Sequence, residues 1–296
     1  MSKLEFDGRV AIVTGAGSGL GRAHALLLAS RGAAVVVNDI STAAGESVVQ
    51  EIVAKGGRAV ADGHSVATPE GGASLVHAAV DAFGTVDIVV NNAGIVRDKT
   101  FAKMDSTMFA DVLGVHLNGA FNVTQPAYEI MRDRKYGRIV STSSAAGLFG
   151  NFGQTNYGAA KMGLVGFTRV IALEGAKYGI KANVVAPIAA TAMSAGLLDE
   201  DWERRLKPEL VSPAVAWLAH ESCPVSGEIL SAAAGRVARV FVAETKGFYT
   251  PDLTLEDVRD QWARICDESG YGVPESAEGE RNMLAAAFAE EESIKQ

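Results

Sequence analysis

Val10-Ala11-Ile12-Val13-Thr14-Gly15-Ala16-Gly17-Ser18-Gly19-Leu20-Gly21-Arg22 opens as a short apolar run, breaks into alternating glycines and continues as a helical pattern to Arg31. A strand that feeds a helix through such a turn brings backbone N–H groups and a helix N-terminus to one spot, with no Cβ to keep a ligand at a distance. That arrangement suits a pyrophosphate, and Gly15, Gly17, Ser18, Gly19, Leu20 and Gly21 are its candidate residues. Gly15, Gly19 and Gly21 are spaced as G-x-x-x-G-x-G, which differs from the G-x-G-x-x-G fingerprint. The chain holds 32 Gly against 8 Pro in 296 residues, so the position of the glycines carries more information than their number.

Working outward, short β-branched apolar runs recur at Val10 to Val13, Val35 to Asn38, Ala59 to Ala61, Ile88 to Val90, Ile139 to Ser141 and Ala182 to Val185. Helix-length segments separate them, among them one long helix over Ser106 to Arg134 and another over Thr155 to Lys177. Continuous apolar strands alternating with helices predict an α/β fold, a Rossmann-type doubly wound parallel sheet. The pattern changes near residue 240. We expect one dinucleotide-binding domain over 1–240 and a C-terminal helical extension over 241–296, with a short amphipathic helix from Thr254 through Cys266 and a solvated acidic end at Glu290-Glu291-Glu292.

The second strand ends in Asp39, 18 positions after Gly21. A carboxylate there can accept hydrogen bonds from both adenosine ribose hydroxyls and would repel a 2′-phosphate, which predicts NAD rather than NADP. Ser144, just past the fifth strand, lies where the carboxyl ends of an open parallel sheet place ligands. Tyr157 and Lys161 stand four apart in a helical segment, hence on one face. A phenol of ordinary pKa near 10 is a poor base at neutral pH, and an adjacent ammonium is expected to lower it. The Ser144 hydroxyl can hydrogen-bond a carbonyl oxygen as charge develops on it.

With 27 Lys and Arg against 35 Asp and Glu, the net charge of −8 argues against nucleic-acid or anionic-lipid partners. No apolar stretch is long enough for membrane insertion, and the start MSKLEFDGRV lacks a signal-peptide core. The end, Ile294-Lys295-Gln296, is not a peroxisomal Ser-Lys-Leu address. Cys223 and Cys266 show no metal-ligand spacing; no metal is expected, and two free thiols suit a reducing cytoplasm.

Together, Thr14 to Gly21, Asn91-Asn92-Ala93-Gly94, Ser144 and Tyr157-Gly158-Ala159-Ala160-Lys161 resemble the short-chain dehydrogenase/reductase family, over about Phe6 to Gly235. The resemblance implies that Tyr157 is the general acid/base, that Ser144 orients the substrate carbonyl, and that Lys161 holds the nicotinamide ribose and tunes Tyr157. It implies that Asn92 and Ala93 line the adenosine side of the cofactor site, that His64, Ser65 and Gly94 also contact the cofactor, and that Thr191 meets the carboxamide or a phosphate. Phe6-Asp7-Gly8-Arg9-Val10, Lys135-Tyr136-Gly137-Arg138-Ile139, His220-Glu221-Ser222-Cys223 and the tail around Gln261-Trp262 are similar to the (3R)-hydroxyacyl-CoA dehydrogenase subgroup found in type 2 peroxisomal multifunctional enzymes (17β-hydroxysteroid dehydrogenases of type 4) and their bacterial relatives. That likeness implies hydride transfer between NAD and C3 of a 3-hydroxyacyl-CoA, in a homodimer or homotetramer.

Some positions depart from the family pattern. His116 stands where an asparagine usually completes a catalytic tetrad, and Asn118, two residues on, would face about 200° away. His64, next to Ser65, replaces an aspartate that often touches adenine, and Pro187-Ile188 replaces Pro-Gly. Thr191 to Leu206, with Met193 and Trp202, is the expected lid over the acyl group. Since a CoA thioester is polyanionic, Arg97, Lys99 and Lys103 are candidates for a local basic patch. The competing readings are 3-oxoacyl-acyl-carrier-protein reduction, oxidation of a steroid or other secondary alcohol, and a catalytically silent nucleotide-binding scaffold, which the intact Ser144, Tyr157 and Lys161 oppose.

Overall fold

A computed structural model describes residues 3–191 and 199–294, with side chains to 288. The chain divides into two compact units, Met1–Arg239 and Val240–Gln296. In the first, β1 (Val10–Val13), α1 (Gly19–Ser30), β2 (Ala34–Asn38), α2 (Thr42–Ala54), β3 (Arg58–Asp62), α3 (Pro69–Phe83) and β4 (Ile88–Asn91) alternate. There follow α4 (Ser106–Leu113), α5 (Gly119–Arg134), β5 (Gly137–Thr142), α6 (Ala145–Phe149), α7 (Thr155–Gly175), β6 (Ile180–Pro187), α8 (Glu200–Arg205), α9 (Ser212–Ala219), β7 (Ile229–Ala233) and β8 (Arg236–Val240). All six strands read from the sequence form, each with its predicted residues inside it.

The eight strands make one sheet in the order β3-β2-β1-β4-β5-β6-β7-β8, with parallel pairing from β3 through to β7. Side chains alternate between its faces. Ala11 and Val13 of β1 pack with Ala25, Leu28, Val215 and Leu218 of α1 and α9, while Val10 and Ile12 pack with Leu75, Ala79, Val123 and Met131 of α3 and α5. Both faces are therefore dry, as the continuous valine runs require. The chain leaves β1 toward β2 and returns to β1's other side with β4, so the strand order reverses there and opens a crevice at the carboxyl ends.

Two strands were not anticipated. β7 and β8 are joined by Ala234 and Gly235, both at positive φ (49° and 81°), a two-residue turn that folds the chain back along the sheet edge. β7 reads only Ile-Leu-Ser-Ala-Ala and β8 is largely exposed, so neither shows the apolar run that betrays a buried strand. The expected helix over Ser106 to Arg134 is continuous in direction but contains a π turn at Gly114–Asn118 between α4 and α5. Of the predicted lid, Met193 lies outside the described residues, and Trp202 stands half exposed on α8.

At the opposite end of the sheet from the crevice, Arg138 of β5 is buried. Its guanidinium donates to the carbonyls of Gly137, Gly179 and Glu221 at 2.8, 3.1 and 3.1 Å. The Tyr136 ring lies between it and Arg9, at 4.5 and 3.7 Å from the ring centre. The segments around Arg9, Arg138 and His220 thus meet in one structural cluster. Arg138→Met strands those carbonyls, and urea unfolding is expected to give a loss of about 3 kcal/mol.

In the second unit, α10 (Leu255–Asp260) carries a capping box between Thr254 and Asp257 and is followed by α11 (Trp262–Ile265). Glu244 and Gly272 pair as an antiparallel bridge, and Phe241 stacks on Tyr271 at 5.8 Å. α12 (Ala277–Ile294) is alanine- and glutamate-rich and packs Phe288 against Tyr249 at 4.9 Å; the sequence reading expected a helical extension here without delimiting this helix. No helix among the described residues is long and apolar enough to cross a membrane.

Candidate active site

The glycine turn closes over the end of β4 through Thr14 and Asn92. The Thr14 hydroxyl accepts the N–H groups of Asn92 and Ala93, both at 2.9 Å, and the Asn92 amide donates to the Thr14 and Gly15 carbonyls at 2.9 and 3.2 Å. Gly17 holds the next residue of the site. Its N–H donates to Asp39 Oδ2 at 3.0 Å, and a Cβ on Gly17 would stand 2.7 Å from that oxygen, so no larger residue fits. The other oxygen, Oδ1, accepts the Ser41 N–H at 2.9 Å. Each carboxylate oxygen retains a lone pair. Ser18 precedes α1 in extended conformation and makes no side-chain cap, and no acidic residue stands in the first turn.

On the other side of the crevice, Ser144 caps α6 by accepting the Ala146 N–H at 3.2 Å. The Ser144 hydroxyl lies beside the Tyr157 side chain in the same pocket and acts to lower the Tyr157 pKa. Lys161 is buried one turn along α7, with Nζ donating to the Thr142 carbonyl at 2.6 Å and lying 5.5 Å from the Tyr157 ring centre. Ser143 ties α7 to β5 by donating to the Lys161 carbonyl at 2.7 Å. Burial holds the Lys161 ammonium at a pKa of about 7. The expected lowering of Tyr157 is not what this arrangement gives. Burial raises its pKa, the Ser144 hydroxyl lowers it and the Asp98 carboxylate raises it, because the ammonium lies over the ring and not on the hydroxyl.

His116 occupies the π turn, whose extra residue swings it into the crevice, while Asn118 is exposed on the other side. Its ring meets Tyr157 edge-on at 5.2 Å, and its Nε2 lies 2.8 Å from the Ile95 carbonyl and 3.0 Å from the Ile95 N–H; one tautomer serves only one of these. Burial and the charge of Lys161 hold its pKa at about 3, so it is neutral at physiological pH. A Cβ on Gly94 would overlap this ring. His116 is therefore a neutral wedge between Gly94 and Tyr157.

One pocket is lined by Gly15, Ser18, Gly19, Leu20, Gly21, Asp39, Asn92, Ala93, Gly94, Ser144, Tyr157, Lys161 and Thr191. Gly17 stands behind Asp39 instead. His64 and Ser65 are not among the lining residues; His64 is exposed and held by Asp62 and Ser74 at 3.1 and 2.9 Å. Arg97, Lys99 and Lys103 are all exposed. Sequence reasoning missed Asp98, Gln154 and Thr142, which also line the pocket, and the buried Asn156 that anchors the start of α7. Among the described residues no group of three or more His, Cys, Asp or Glu could hold a metal ion.

Residues 9–202 match the family described as short chain dehydrogenase. The chain is 46% identical over 288 residues to the peroxisomal multifunctional enzyme type 2 of Mus musculus, covering 93% of this chain and 39% of that protein. It is 49% identical over 275 residues to a short-chain type dehydrogenase/reductase of Mycobacterium tuberculosis, covering 90% of this chain and 96% of that one. The structure of full-length peroxisomal multifunctional enzyme type 2 from Drosophila melanogaster superposes with a TM-score of 0.83 at 41% identity, covering 97% of this chain and 50% of that chain. The chain thus spans half or less of these multifunctional enzymes.

Proposed function

The chain belongs to the short-chain dehydrogenase/reductase family and is an oxidoreductase of CH–OH groups, and on that footing we propose that it transfers hydride between NAD and C3 of a 3-hydroxyacyl-CoA. The observation that carries the reading is the single pocket in which the Ser144–Tyr157 pair and buried Lys161 share walls with Asp39 and the start of α1. The N-terminus of α1, with no side-chain cap and no acid in its first turn, suits a pyrophosphate. Asp39, oriented by Gly17 and Ser41, has lone pairs for two ribose hydroxyls and a charge that disfavours a 2′-phosphate. These residues fit a nicotinamide dinucleotide, which when bound supplies the hydride acceptor.

In the oxidising direction Tyr157, as phenolate, would take the proton from the oxygen on C3 as the carbonyl forms, the C3 hydrogen leaving with its electron pair for the bound hydride acceptor. Ser144 donates its hydroxyl to the same oxygen and holds it within reach of Tyr157. One Lys161 N–H is taken by the Thr142 carbonyl, leaving two for the ribose beside the reacting carbon. Neutral His116 fixes the face of the phenol ring.

The exposed Arg97, Lys99 and Lys103 suit the remote phosphates of a CoA carrier. Exposed Phe121 on α5 and Val170 and Leu173 on α7 supply an apolar face suited to a homodimer or homotetramer. Both cysteines are free, which suits a reducing compartment, cytoplasmic in the sequence reading, although the multifunctional relatives are named as peroxisomal.

A panel of (3R)-hydroxyacyl-CoA thioesters, acyl-carrier-protein thioesters and free secondary alcohols, each with NAD and NADP, tests the reading. Turnover of the CoA thioesters with at least about tenfold preference for NAD is expected, since one lost ribose contact and one added repulsion are worth about 1.4 kcal/mol or more. Preference for NADP, or turnover confined to another class of alcohol, overturns it.

A further inference from the structure

Beyond Gly94 the chain runs along the pocket wall, where Val96 and Asp98 line the same space as Tyr157. Three hydrogen bonds staple this segment to the start of α7. Asn156 donates to the Arg97 carbonyl at 3.0 Å, Gln154 Nε2 to Asp98 Oδ2 at 2.8 Å, and the Lys99 N–H to the Gly153 carbonyl at 2.9 Å. Asn156 is fully buried, donates also to the Met108 carbonyl at 3.1 Å, and accepts the Tyr157 N–H at 2.8 Å. The position of Asp98 relative to Tyr157 is consequently set by backbone geometry.

The charges around the reacting end are few. Among the described residues, the other charged side chains lining the pocket are Asp39, engaged by Gly17 and Ser41, and Lys161, whose Nζ is bonded to Thr142 under the Tyr157 ring. Arg97 and Lys99 flank Asp98 in sequence but do not line the pocket. Asp98, exposed to solvent, is thus the charged side chain on this wall, and Lys161, under the Tyr157 ring, is the one lysine or arginine among the described lining residues.

We infer that Asp98 is a specificity-determining residue, which repels a carboxylate next to the reacting carbinol and so confines the site to alcohols whose neighbouring carbonyl is uncharged: thioesters, esters or ketones, not free hydroxy acids. The inference rests on Tyr157 and Ser144 marking the reacting end, as proposed above. It gives a physical reason for a carrier-bound substrate, because a thioester presents a neutral carbonyl inside the pocket and keeps its phosphates outside it. The groups that face the Tyr157 ring and hydroxyl are Ser144, Lys161, His116 and Asp98, and of these Asp98 alone adds negative charge, which also raises the Tyr157 pKa.

Asp98→Asn keeps an acceptor oxygen for Gln154 and removes only the charge. The measurement is the ratio of kcat/KM for the N-acetylcysteamine thioester of 3-hydroxybutyrate, which is neutral, to that for free 3-hydroxybutyrate. The unmodified protein is expected to favour the thioester by about tenfold or more, and the ratio to fall about tenfold in Asp98→Asn, the size expected of two like charges across a half-open pocket. In the unmodified protein, salt raised from ~0.05 to ~0.5 M narrows the same ratio by screening, which keeps the test alive if the variant does not fold. Equilibrium binding of acetoacetate against ethyl acetoacetate to the cofactor-loaded protein reads the preference without turnover. An unchanged ratio in Asp98→Asn, or free acid accepted as readily as thioester by the unmodified protein, overturns the inference. Failure to turn over any hydroxyacyl thioester overturns the substrate assignment instead, and the binding ratio then decides the role of Asp98.

Discussion

Tyr157→Phe is expected to lower kcat about 10³-fold, the range lost when a positioned acid–base group is removed, while leaving NAD affinity within about twofold. Phenylalanine keeps the edge-on contact with His116 and the ring face above Lys161, so only the hydroxyl beside Ser144 disappears. Fluorescence titration with NADH and steady-state turnover measure the two effects separately. The pH profile supplies the sign. Burial raises the Tyr157 pKa above its ordinary value near 10, so the oxidation rate rises with pH through the neutral range and the reduction rate, which needs the phenol, does not. Turnover retained in Tyr157→Phe, or an oxidation rate flat from about pH 6 to 10, removes Tyr157 from the proton transfer.

Lys161→Met is expected to abolish most turnover and at the same time stabilise the fold. Burial moves the ammonium from 10.5 to about 7. Below pH 7 the lysine is charged in both folded and unfolded chains, and the folded state bears the whole cost of burying that charge. Between 7 and 10.5 the unfolded chain keeps a proton that the folded chain has released, so stability rises with pH across this window. Methionine fills the same space without a charge, although the Thr142 carbonyl loses its donor, an offset of about 1 kcal/mol. The melting temperature should therefore rise by about 4 °C at pH 6 and by progressively less toward pH 10. A variant that melts lower at pH 6, or one whose gain is independent of pH, contradicts the burial cost assigned to Lys161.

The parts of this site that were legible in the sequence are those whose chemistry is local. Gly15 to Gly21 between a strand and a helix, Asp39 at a strand end and Tyr157 with Lys161 one helical turn apart are each set by neighbours within a few residues. Asp98, Gln154 and Asn156 gave no such signal, because the bonds that make them a unit join segments about 55 residues apart, and no periodicity records a loop stapled to a helix end. The same limit hid the π turn at His116, whose extra residue leaves composition and spacing unchanged.

By itself the sequence determined the doubly wound sheet, since valine-rich runs must be covered on both faces, and it singled out the residues proposed to carry the hydride chemistry. The tertiary structure alone decided the electrostatics: that Lys161 lies beneath the Tyr157 ring near its own titration point, that His116 is neutral, and that the Asp98 carboxylate lines the same pocket as Tyr157. A pKa depends on burial and on charges brought together from distant parts of the chain, and those exist only once the fold has closed.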